Sequence, residues 1–68
     1  MALTPRRMGM KLKKLRTAKG LSQEALAKRA KITREYVNKL EAGRHDPTMG
    51  KLQALAKALG VPVTELLE

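Results

Sequence analysis

Four polar side chains crowd one short stretch of this chain: Arg34, Glu35, Asn38 and Lys39. On a helix at about 100° per residue, Val37 and Leu40 mark an inward face. Glu35 and Lys39 point almost directly away from it, and Arg34, Asn38 and Ala42 flank them. These residue types suit hydrogen-bond readout of base edges. Arginine or lysine donates to guanine, asparagine pairs with adenine, and glutamate accepts from N4 of cytosine. A solvated helix face looks the same, and the i, i+4 spacing of Glu35 and Lys39 is equally that of a modest surface ion pair.

The charge around this stretch is lopsided. The 68 residues carry 15 Lys+Arg against 6 Asp+Glu, a net charge of +9. The excess lies in residues 1–44, whereas residues 45–68 are close to neutral. One basic part joined to a neutral part implies a face that meets a polyanion: nucleic acid, an anionic membrane or an acidic protein. A membrane binder would need a strongly apolar face, usually with Trp or Phe, and Tyr36 is the only aromatic residue. No apolar run approaches the roughly 20 residues of a membrane span.

Catalysis finds little to work with. There is no cysteine, Ser22 is the only serine, and the one histidine, His45, has only an adjacent Asp46, which makes no triad. No glycine-rich phosphate loop and no metal-ligand spacing occur, so no cofactor, metal or small-molecule substrate is expected. Without disulfides or a structural metal, one small domain over residues 1–68 must rely on packed helices and on association with a second copy. The lack of cysteine suits a cytoplasmic location.

The elements that position the polar face follow from caps and apolar spacing. Leu, Ala, Lys, Arg and Glu dominate, which favours helix over sheet. Thr4-Pro5 opens a first helix with Met8, Leu12 and Leu15 on one face, and Gly20 stops it. Ser22 caps a second helix over residues 23 to about 30. Thr33 caps a third, from 34 to about 41. Thr48 caps a fourth, whose Leu52, Leu55, Ala56 and Leu59 form the clearest apolar stripe. Gly60 ends it, and Pro62 opens a short fifth helix carrying Val63, Leu66 and Leu67. The very short link between helices two and three predicts a steep crossing, which lets one helix rest across a phosphate backbone while the next enters a groove.

In this order the residues resemble the phage lambda Cro and repressor family, the xenobiotic-response-element type. Gly20-Leu21-Ser22-Gln23-Glu24-Ala25-Leu26-Ala27 is similar to its second-helix start. Ile32-Thr33-Arg34-Glu35-Tyr36-Val37-Asn38-Lys39-Leu40-Glu41-Ala42-Gly43 is similar to its recognition helix and exit. Asp46-Pro47-Thr48 and Leu55-Ala56-Lys57-Ala58-Leu59-Gly60-Val61 resemble the loop and fourth helix that follow. The likeness covers about residues 8–67.

The resemblance implies an all-α, five-helix, lambda-repressor-like DNA-binding domain whose helix-turn-helix spans about residues 22–41. It implies that Gln23 contacts a phosphate or an edge base, that Thr33, Arg34, Glu35, Asn38 and Lys39 face DNA, and that Arg44 touches the backbone. It also implies an ion pair between Arg16 and Glu41 that fastens helix one to the motif. Two positions depart from the family pattern: Lys31 stands at the corner where glycine is usual, and Pro62 where a serine-like cap is usual. Tyr36 is expected to pack its ring against helix two, with its hydroxyl free to reach a phosphate.

The function implied is sequence-specific binding of double-stranded DNA by a transcriptional regulator. It would act as a repressor, as a homodimer on a palindromic operator. Val63, Leu66 and Leu67 are candidates for the dimer surface, though they could equally close the monomer core. The rival reading is an interaction module, such as an antitoxin, that uses the same fold mainly to hold a protein partner.

Overall fold

The computed structural model describes residues 4–67, and all regular structure among them is helical. The helices are α1 (Pro5–Ala18), α2 (Gln23–Ala30), α3 (Arg34–Glu41), α4 (Met49–Leu59) and α5 (Thr64–Leu67). Four of them begin on the expected caps. The hydroxyls of Thr4, Ser22, Thr33 and Thr48 accept from the backbone N–H three residues on, at 3.0–3.2 Å. Each cap satisfies a donor that the helix leaves unpaired and is worth about 1 kcal/mol.

The same four helices share one ending. At the close of α1, the N–H of Gly20 bonds the carbonyl of Thr17 and that of Leu21 reaches back to Arg16. This paired return requires a left-handed residue, and Gly20 has φ 71°. Gly43 and Gly60 close α3 and α4 likewise. At the end of α2 the position belongs to Lys31, at φ 59°, ψ 43°. It is the one non-glycine residue with positive φ among those described. The corner keeps the shape glycine would give it, at a strain of about 1–2 kcal/mol.

The fifth helix differs from expectation. It begins at Thr64, not at Pro62. The carbonyls of Pro62 and Val63 accept from Glu65 and Leu66, three residues on, so this segment is a tight turn leading into a single turn of helix.

α3 packs against both α1 and α2, α4 lies on α2, and α5 closes against α1 and α4. Met8, Leu12, Leu26, Val37, Leu40, Leu55 and Leu66 fill the centre with essentially no exposed surface. Leu66 therefore closes the monomer core and is withdrawn from the dimer surface, because a side chain with no accessible area has none to bury against a partner. Val63 and Leu67 are half-buried at the core's edge. Packing also sets the approach of α1 to α3. Gly9 faces the carbonyls of Leu40 and Glu41, and a Cβ there would overlap the former.

Candidate nucleic-acid interface

With Val37 and Leu40 buried, the opposite side of α3 is left in solvent. Arg34, Glu35, Asn38 and Lys39 are all exposed on it. Together with Gln23 at the start of α2 and Arg44 beyond α3, they line one open depression of about 370 Å³. Three cations and one carboxylate thus share a shallow surface with two amides. Among the described residues Glu35 and Lys39 form no ion pair, so both remain available to a ligand.

Thr33 lies apart from this group. Its hydroxyl caps α3, and it borders a second shallow surface with Lys31, Ile32, Tyr36 and Lys51. Lys31 and Lys51 thus bring positive charge to the other flank of the α3 N-terminus. In the sequence they count only toward the general basic excess, since no spacing rule joins residue 31 to residue 51.

Behind the exposed face runs a buried polar connection. Arg16 Nε donates to Glu41 Oε2 at 2.6 Å and Nη2 to Oε1 at 3.0 Å. Arg16 Nη1 donates to the carbonyl of Leu21 at 2.7 Å. One guanidinium thus ties α1 to the end of α3 and to the loop that leads into α2. The side chains are 10% and 4% exposed, so this is a buried two-pronged pair and not a surface contact. The hydrogen bond to Glu41 raises the pKa of Arg16 above its already high ordinary value, against the opposing effect of burial. Glu41 Oε1 also accepts from Gln23 Nε2 at 3.1 Å, and Gln23 Oε1 receives Asn38 Nδ2 at 3.5 Å. No buried side-chain nitrogen or oxygen among the described residues lacks a partner.

Tyr36 packs at the edge of the core and has two further neighbours. Its ring meets His45 of the α3–α4 loop edge-to-face at 5.0 Å, and Lys51 Nζ of α4 stands 6.0 Å from its centroid. Burial raises the pKa of its phenol.

Residues 12–66 match the family model for helix-turn-helix proteins. This chain belongs to the helix-turn-helix family. Among relatives of this helix-turn-helix protein, the transcriptional regulator y4dJ of Sinorhizobium fredii is 42% identical over 60 residues, 88% of this chain and 78% of the relative. The immunity repressor of Bacillus phage phi105 is 33% identical over the same share of this chain, which spans only 42% of that protein. Among solved structures, the restriction-modification controller protein C.AhdI from Aeromonas hydrophila superposes with a TM-score of 0.91 at 40% identity. That match covers 93% of this chain and 96% of the other. The helix-turn-helix protein is accordingly a transcriptional regulator of the XRE type, from a family of DNA-binding regulators and not of enzymes.

Among the described residues no cluster of ligands could hold a metal ion, and no helix is long and apolar enough to cross a membrane.

Proposed function

We propose that this regulator binds a palindromic operator in double-stranded DNA as a homodimer, with α3 of each protomer in the major groove, and that the outcome is repression. One observation carries the reading: the outward face of α3, made by Arg34, Glu35, Asn38 and Lys39, is exposed and rimmed by Gln23 and Arg44. The major groove, about 12 Å wide, accepts one helix of that diameter. Arg34 and Lys39 are assigned to guanine, Asn38 to adenine and Glu35 to cytosine. Gln23, Thr33 and Arg44 hold the flanking phosphates, helped by the free N–H groups at the helix starts.

Two protomers place their α3 helices about 10–10.5 base pairs apart, or a multiple of that. Of the three candidates for the dimer surface, Val63 and Leu67 keep accessible area with which to join them. Likeness to a phage immunity repressor and to a restriction-modification controller supports regulation by operator occupancy. Binding to chromosomal or phage DNA places the protein in the cytoplasm.

Selection from a random duplex library, with sedimentation of the protein alone and with the selected duplex, tests this. The expected result is an inverted repeat bound by two protomers. Recovery of sequences no better bound than scrambled competitor defeats the reading and returns the protein-holding alternative.

A further inference from the structure

Glu41 lies two hydrogen bonds from Asn38, and the chemistry between them runs in one direction. A carboxylate can only accept. Its Oε1, which takes Arg16 Nη2 at 3.0 Å, can therefore meet Gln23 only through the amide NH2, at 3.1 Å. With Nε2 turned inward, Gln23 holds its Oε1 outward. That oxygen also can only accept, so Asn38 must turn Nδ2 toward it, at 3.5 Å. Asn38 is left with one Nδ2 hydrogen and its Oδ1 for an outside partner.

We propose that Glu41, backed by Arg16, is a positioning residue for base readout. Acting through Gln23, it settles which way round Asn38 presents its amide and so commits Asn38 to adenine. The inference rests on the proposed entry of α3 into the major groove. Adenine shows an N6 donor beside an N7 acceptor, which the remaining Oδ1 and Nδ2–H of Asn38 match. An inverted amide would set donor against donor and acceptor against acceptor. Asparagine alone could turn freely between the two states. The buried pair biases that choice: Glu41 is 4% exposed, so little water competes for its oxygens and Gln23 keeps its amide oxygen toward Asn38. The ion pair that holds three helices together thereby also orients a base-reading side chain.

The test uses the full chain and the duplex that wild type selects from a random library. Asn38→Ala first marks the base pair that Asn38 reads, as the one where discrimination disappears. The double variant Arg16→Met/Glu41→Leu then removes the acceptor for Gln23 without changing net charge, and apolar replacement of a buried pair is often tolerated. Its preference for A·T at the marked pair should fall roughly tenfold, the scale of one good bidentate contact. Discrimination at the pair read by Arg34 and affinity for scrambled duplex should persist.

Unchanged preference at the marked pair in a folded variant overturns the proposal. So does a uniform loss across all sequences, which a purely structural pair would produce. Gln23→Leu is the second arm. It removes the amide that links Glu41 Oε1 to Asn38 Nδ2, and the same loss at the same pair is expected. Preserved preference there also overturns it. If wild type itself selects nothing over scrambled duplex, the major-groove reading has failed and this inference falls with it, a result distinct from the others.

Discussion

Gly9 of α1 lies so close to the main-chain carbonyl of Leu40 in α3 that a methyl group at position 9 would overlap that oxygen. The two helices therefore meet backbone to backbone. The same approach brings Arg16, two turns further along α1, to within 2.6 Å of Glu41.

Gly9→Ala should destabilise the protein although alanine is the better helix former. Propensity alone favours alanine by about 1 kcal/mol. Overlap with a main-chain oxygen has no flexible side chain to absorb it, and forcing helices apart costs about 1–3 kcal/mol or more. A thermal melt followed by circular dichroism should fall by several degrees. A higher melting temperature would show that α1 and α3 separate freely.

Lys31→Gly should act in the opposite sense. The lysine sits at φ 59° at the end of α2, where glycine carries no steric strain. Relief of about 1 kcal/mol is partly offset by the greater freedom of glycine in the unfolded chain. Since about 1 kcal/mol shifts the melt of a domain this size by roughly 4–8 °C, a rise of a few degrees is expected. A fall in Tm would mean that the Lys31 side chain contributes more than its backbone costs.

Arg16→Met alone should cost about 3–5 kcal/mol, because it leaves the buried Glu41 carboxylate without its cation. Adding Glu41→Leu should recover most of the loss. Urea titrations of the two variants check this, and equal stability of single and double variants would contradict it.

Arg34→Ala should weaken the selected duplex by roughly 1–3 kcal/mol and relax preference at one base pair. Arg44→Ala should weaken selected and scrambled duplexes alike and lower the slope of log affinity against log salt by about one unit. Competition binding over a salt series separates the two. A base-specific loss in Arg44→Ala would reverse the assignment.

Tyr36 is the only tyrosine, so phenolate absorbance reports it alone. Burial raises its pKa in the folded protein above the ordinary value near 10. A raised pKa means the folded state holds the proton more tightly. Its contribution to stability is therefore whole below about pH 10 and declines as pH climbs through the folded value. Spectrophotometric titration should give a higher midpoint in buffer than in denaturant, and coincident midpoints would contradict the burial of the ring.

Much of this architecture is legible along the chain because its causes are local. A hydroxyl three residues before an N–H it can bond, as at Thr4, Ser22, Thr33 and Thr48, marks a helix start without knowledge of any other helix. Val37 and Leu40 orient α3 by angle alone, so the exposure of Arg34, Glu35, Asn38 and Lys39 follows from seven consecutive residues. The family likeness adds Arg16 with Glu41, which no local rule could pair across 25 positions.

Other features depend on distance through space, and linear order says little about that. Whether Gly9 is an ordinary helical residue or a contact point depends on α3 crossing there. Leu66 reads as surface or core until α1 and α4 are seen to enclose it. Tyr36 meets His45 only because the α3–α4 loop folds back over its ring. The junction of Glu41, Gln23 and Asn38 needs three side chains from two helices at bonding distance. Patterning along the chain supplied the elements and their polar faces, since those arise from neighbours a turn apart; close packing supplied the partners, since a contact exists only once separate helices share the same few ångströms.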